Sequence, residues 1–300
     1  MSVYEFVSDS QTTIYKFLKY NSGISTRLLK SFKKAGSFAI NGASASIISL
    51  LQPNDVITVN IEESFGNIVP ENICLDIVFE DNYILAVNKP PNIVTHPTSL
   101  HPFGTLANAV AFYYEAHNIR TPIRPVIRLD RDTSGIVIFA KNAFIHEEIN
   151  RQMKSGTVHK TYLAVVEGTP TPIIGKISAP IARLPGSIIT RQVSEDGDLA
   201  VTNYKVLEVL EDFSSNDVPI YYSLLEIKPE TGRTHQIRVH MQHIGHPIVG
   251  DTLYGNKSAL IRRQALHAFS YSFIHPMLKQ EITLTAQLPV DIRKIIEKKK

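Results

Sequence analysis

The stretch VIRLDRDTSGIVIFAKN, residues 126–142, places two arginines and two aspartates directly ahead of an apolar run. The run Ile136–Ala140 reads as a buried strand bounded by polar residues. Charge set just before such a strand is held on a rigid element, where a reacting group must sit. Asp130 leads into a Thr-Ser-Gly turn whose amides and hydroxyls can orient a carboxylate. Two carboxylates, Asp130 and Asp132, would also suit acid/base work at a glycosidic bond. Asp132 is expected on the opposite face, so the two are not expected to share one site. A surface turn laced by salt bridges accounts for the same local pattern.

The chain has 300 residues, 43% hydrophobic and 20% charged, as in a globular protein of about two domains. Its one cysteine, Cys74, excludes an internal disulfide and a multi-cysteine zinc site, and fits a reducing compartment. The N-terminus lacks a basic segment followed by an apolar core, and no apolar run approaches the ~18 residues that span a bilayer. A cytoplasmic location with no membrane association is expected. The net charge of +3 is small, but its distribution is uneven. Lys16, Lys19, Arg27, Lys30, Lys33 and Lys34 occur between residues 11 and 41 without an acidic residue, and the acids follow from Asp55 to Asp81. The basic block suits either a solvated face or a nucleic-acid contact.

SGISTRLLKSFKKAG (residues 22–36) reads as a helix capped by Ser22 or Ser25 and ended by a left-handed Gly36. Leu28, Phe32 and Ala35 share one face; Arg27, Lys30 and Lys34 share another. Asn41-Gly42 signals a hairpin turn, and NDVITVNIEE alternates like an edge strand. Residues 1–65 thus form a small helix-plus-hairpin module, and SFGNIVPEN (residues 64–72) a linker. In residues 66–300, strands are read at LDIVFEDNYILAVNKP, GIVIFAKN, KTYLAVVEG, YYSLLEIKP and QEITLTAQLP. Helices are read at GTLANAVAFYYEAH, FIHEEINRQMKSG, THQIRVHMQHIG and PVDIRKIIEKKK. Their irregular mixing predicts an α+β domain on a mixed, largely antiparallel sheet rather than a doubly wound one.

PETGRTHQIRVHMQHIGHPIVGD (residues 229–251) carries His235, His240, His243 and His246. Gly245 ends the helix between the last two, and no acid lies between Thr231 and Gly250, so no metal site is expected. Helix-interior and helix-capping histidines fit better. Arg233 projects from a Gly-Arg-Thr turn at the helix start. Tyr162 begins an apolar strand, where a tyrosine is ordinarily a core residue with its hydroxyl at the edge.

Taken in order, RLDRDTSGIVIFAKN, HKTYLAVVEG, KPETGRTHQIRVHMQHIGHPIVGDTLYG and RRQALHAFSYSFIHP resemble the RluA-type family of RNA pseudouridine synthases. With FEDNYILAVNKPPNIVTHP and GTLANAVAFYY the likeness covers most of residues 75–280. The N-terminal module looks like the small RNA-binding domain of the ribosomal-protein S-four type. The resemblance implies a cofactor-free, monomeric isomerase acting on RNA, with ribosomal RNA favoured over tRNA. It maps the catalytic aspartate onto Asp130, the base-stacking tyrosine onto Tyr162, the arginine paired with the aspartate onto Arg233, and the arginine that enters the RNA stack onto Arg128. The chain departs from the family pattern at Ile127, where histidine is usual, and at Asn92, where glycine is common. A non-catalytic RNA-binding or ribosome-assembly protein with the same fold is the alternative. A metal hydrolase or a glycosidase stands further off.

Overall fold

The computed structural model describes residues 2–61, 67–213 and 219–297. The boundary expected at residue 65 falls within 62–66 and the basic tail at 298–300, both outside the described residues.

The N-terminal module is a four-stranded antiparallel sheet in the order Ser2–Val7, Val56–Ile61, Gly36–Ile40, Ala43–Ala45, covered by helices Ile14–Tyr20 and Thr26–Ala35. Asn41 and Gly42 both have positive φ, as the two-residue hairpin turn demands. Ser25 caps the second helix by accepting from the Leu28 amide at 3.1 Å. Two expectations are corrected. Gly36 is extended, at φ −84°, and opens the next strand. Its need is for space, since a Cβ there would lie 2.6 Å from the Phe32 carbonyl oxygen. Val56–Ile61 is paired on both sides and is not an edge strand. Its alternation reflects a sheet with one solvated face, and Ser2–Val7 takes the edge.

The larger sheet runs Ile174–Ser178, Val201–Phe213, Pro219–Pro229, His159–Glu167, Leu266–Ile274, Ser134–Ala140, Ile84–Lys89, Ile77–Glu80, with Glu281–Thr285 added to Leu266–Ile274. Among the described residues its pairings are antiparallel except one short parallel join, His267 opposite Ser134 and Ala268 opposite Gly135. This is the expected mixed, largely antiparallel α+β architecture. The helices foreseen in the sequence appear as Leu106–Ala116, Ala143–Lys154, Gln236–His243 and Val290–Ile296. The long strand Val201–Phe213 and the short Ile174–Ser178 were not foreseen.

Every residue of Ser134–Ala140 is buried. The charge-then-strand pattern thus marks the centre of the domain, and each buried Ile, Val or Phe there contributes about 1.5–3 kcal/mol. The turn begins two residues earlier than expected, at Arg131–Asp132, and Ser134 and Gly135 already belong to the strand. Gly135 sits at φ +116°, and a Cβ would meet the Ala268 carbonyl oxygen at 2.2 Å, so only glycine lets the parallel join close. The module abuts this domain at helix Ala143–Lys154. Ser25 donates its hydroxyl to Glu147 at 2.7 Å, and the Phe6 and Phe144 rings meet edge-on at 5.5 Å.

His267, at the parallel join, is fully buried. Its Nε2 faces the Ala286 carbonyl at 3.2 Å and must donate, so Nδ1 accepts from the Ser134 hydroxyl at 3.0 Å. Burial pushes its pKa down to about 4 from 6.5, with the Ala286 bond opposing. A depressed pKa gives stability that is complete above pH 6.5 and lost as pH falls through about 4. Urea unfolding across that window should show wild type losing on the order of 3 kcal/mol of its advantage over His267→Asn. A constant gap from pH 7 to 4 would contradict the neutral, doubly bonded ring.

Candidate active site

Arg128, Asp130, Tyr162 and Arg233, the four residues singled out in the catalytic part of the sequence, line one cavity of about 490 Å³. His235 and Arg238 share it.

The segment carrying Asp130 is tied down through its backbone. Thr95 donates its hydroxyl to the Leu129 carbonyl and accepts from the Leu129 amide, both at 3.2 Å. Lys89 Nζ donates to the Arg131 carbonyl at 2.9 Å, and also to Pro90 and Ile93 carbonyls at 2.9 and 2.8 Å. Arg263 donates to the Asp132 carbonyl at 2.9 Å. Burial pushes the Lys89 pKa down to about 7, with Asp132 and Asp130 opposing. Three carbonyls match the three N–H donors of an ammonium, so the clamp is built for the charged form.

Asp130 is 29% exposed at its side chain. Its Oδ2 accepts from Arg238 Nη1 at 3.0 Å. The same guanidinium makes a two-pronged bond to Asp251, Nε to Oδ2 at 2.7 Å and Nη2 to Oδ1 at 2.8 Å. Asp251 is 1% exposed, and its Oδ1 also accepts from the Leu253 and Tyr254 amides. Burial works against the Arg238 charge, but Asp251 and then Asp130 hold its pKa above the ordinary arginine value. His235, left-handed at φ 58° ahead of the helix, brings Nε2 within 3.7 Å of Asp130. Its Nδ1 hydrogen-bonds the Tyr254 hydroxyl at 2.8 Å. Burial holds the His235 pKa below its usual value, with Asp130 pulling the other way.

Arg233 is not the partner of Asp130. It lies on the cavity wall, pairs with exposed Asp198 at 3.4 Å and donates to the Leu199 carbonyl at 3.1 Å. The reason is the helix. Arg238 stands three residues after His235 and so shares its face toward Asp130, whereas Arg233 lies in the preceding turn. The available signal was spacing: Arg238 is three residues after His235 and so on its helical face, and a buried charge must be paired. Asp251, after the buried Ile248-Val249, falls under the same pairing rule. Asp132 stays out of the cavity and bonds Arg131 at 3.2 Å. Strand alternation does not separate it from Asp130, because residues two apart share a face; the turn at Arg131–Asp132 does.

Tyr162 sits beside a β-bulge: Thr161 faces Ser270 but Tyr162 faces Ala268, leaving Phe269 as the extra residue. Bulges next to active sites re-aim side chains. Burial raises the Tyr162 pKa to about 12, with a lesser push from Asp130. Arg128 is exposed on the cavity wall. Ile127 packs against the core, and Asn92 takes the left-handed φ of 64° that glycine would take most easily. His240 spends its ring nitrogens on Thr202 and the Ala179 carbonyl, leaving neither for a metal.

A family model described as RNA pseudouridylate synthase matches residues 83–243. A Bacillus subtilis (strain 168) protein named Uncharacterized RNA pseudouridine synthase YjbO is 40% identical over 278 residues, covering 92% of this chain and 95% of the relative. A Xanthomonas campestris pv. campestris protein named Ribosomal large subunit pseudouridine synthase D is 34% identical, covering 89% and 82%. The solved structure of Human RNA Pseudouridylate Synthase Domain Containing 1 superposes with a TM-score of 0.58 at 27% identity, over 75% of this chain and 86% of that one.

The two arginines should separate sharply. Asp251→Asn leaves the buried Arg238 under-compensated and is expected to cost about 3–5 kcal/mol in urea unfolding. Arg233→Gln breaks an exposed pair and should cost under about 1 kcal/mol. Equal losses would contradict the assignment of Arg238 as the buried partner.

Proposed function

The chain belongs to the RNA pseudouridylate synthase family, and we propose that Asp130 is its catalytic carboxylate and ribosomal RNA its substrate. The observation that carries this reading is Asp130 held by Arg238 in the cavity that Tyr162 also lines. The enzyme isomerises uridine in RNA to pseudouridine: the base leaves the ribose, turns, and rejoins through carbon 5, which releases its proton while the freed ring nitrogen N1 takes one up. The conversion is redox-neutral, so no cofactor is called for.

A stacked uridine cannot reach a cavity wall, so the base must leave the stack, at a cost of a few kcal/mol. Tyr162 offers the extruded ring an aromatic face. Arg128, exposed beside Asp130, offers a flat, permanently charged plate to fill the vacated space. Arg233 supplies a second cation at the cavity wall, suited to a phosphate or a base edge. Ribosomal RNA as target is supported by the name of the Xanthomonas relative. Residues 1–65 act as an S-four-like RNA-binding module and 66–300 as the catalytic domain. Support for the former is that Arg27, Lys30 and Lys34 are all exposed on one helix. The protein works as a monomer in the cytoplasm, which suits its single cysteine.

Asp130→Asn keeps the side chain's size and removes its charge. Single-turnover release of tritium from [5-³H]uridine-labelled total RNA of a strain lacking the protein should vanish, while filter-binding affinity stays within a few-fold. Wild-type turnover by this variant would sink the assignment. Arg128→Ala should lose more turnover on structured RNA than on a short unstacked strand, and equal losses would remove its flipping role. Replacing Arg27, Lys30 and Lys34 together by glutamine should flatten the salt dependence of RNA binding by up to about 3 in log–log slope. An unchanged slope would make that face merely solvated.

A further inference from the structure

Tyr162 does not stand alone at the cavity. Its hydroxyl lies 2.7 Å from that of Tyr271, on the neighbouring strand. Tyr271 faces Lys160 across the pair, and Lys160 and Tyr162 are two apart, so all three fall on one face of the sheet. The rings meet edge-on, with centroids 6.3 Å apart at 70°. Tyr271 is 0% exposed and does not line the cavity.

Two hydroxyls in contact hold two protons but share one hydrogen bond. One proton is therefore left over, and burial decides which. Among the described residues Tyr271 has no other hydrogen-bond partner. If Tyr162 donated, the Tyr271 proton would be stranded in the core, an unsatisfied buried donor. If Tyr271 donates, the spare proton belongs to Tyr162, the one of the two that lines the cavity.

We infer that Tyr271 is a positioning residue: its buried hydroxyl donates to Tyr162, fixing the plane of the stacking ring and leaving the Tyr162 proton as the free donor of the pair. This rests on Tyr162 being the residue that meets the extruded base. A hydroxyl that accepts one bond becomes a better donor in the next, since hydrogen-bond chains polarise one another. The pairing of Lys160 with Tyr271 is what sets the two tyrosines diagonally adjacent on that face.

The test is a double-mutant cycle of Tyr162→Phe and Tyr271→Phe, with Asp130→Asn beside it. The readout is tritium release from [5-³H]uridine-labelled total RNA of a strain lacking the protein. Phenylalanine keeps the packing at both positions, and thermal unfolding reports whether each variant folds. Tyr271→Phe should lower kcat about tenfold with KM unchanged. In the Tyr162→Phe background it should cost nothing further, because its effect passes through the absent hydroxyl. A wild-type kcat for Tyr271→Phe, or the same loss in both backgrounds, would overturn the inference and leave a packing role only. Activity in Asp130→Asn would instead overturn the underlying site and the inference with it. An inert Asp130→Asn beside a fully active Tyr271→Phe would remove the positioning role alone.

Discussion

The guanidinium of Arg238 is shared between two carboxylates, and the site is organised around that sharing. Asp251, nearly inaccessible to water, takes Nε and Nη2; Asp130, open to the cavity, takes Nη1. The fork geometry matters. Only arginine presents donors on two edges in one rigid plane, so the buried acid fixes the plane and the plane fixes the accessible acid. Taking Arg238 and Asp251 out of bulk water is costly, and it is sustained because each is hydrogen-bonded as well as paired. A residue with no place in the chemistry, Asp251, thereby determines where the catalytic candidate sits.

The other half of the positioning comes through the backbone. Carbonyls or amides of Leu129, Arg131 and Asp132 are each held by a side chain from elsewhere in the fold: Thr95, Lys89 and Arg263. The segment is a turn and not regular structure, so its peptide groups need such partners. Directly after it the chain enters a fully buried strand, and Gly135 lets that strand press against Ala268. Charge stands before the strand because the strand supplies rigidity while the turn supplies access.

Local pattern carried the elements well wherever one physical signal dominated. The Asn41-Gly42 hairpin, the Ser25 cap and the apolar run after Asp130 were each legible. The ordered motifs gave the family, and the cavity does gather Arg128, Asp130, Tyr162 and Arg233. What was not legible depends on distant pieces. The partner of Asp130 was placed on Arg233, which lies in a more conspicuous Gly-Arg-Thr turn, yet a pairing 108 residues apart is set by which helix face meets the sheet. Gly36 does end the helix, but in an extended and not a left-handed conformation, because the next strand begins at that residue. Tyr271 sat in a plain strand pattern, and its contact with Tyr162, 109 residues away, exists only once the two strands pair.

The most direct test is Arg238→Lys. Lysine keeps one positive charge but offers a single ammonium that cannot brace Asp251 with two bonds while holding Asp130. Single-turnover isomerisation of [5-³H]uridine-labelled total RNA, measured on a variant shown to be folded by its thermal transition, should fall on the order of a hundredfold, because Asp130 is no longer aimed. A folded Arg238→Lys protein that turns over at the wild-type rate would show that charge alone suffices and would contradict the shared guanidinium as the organiser of the site.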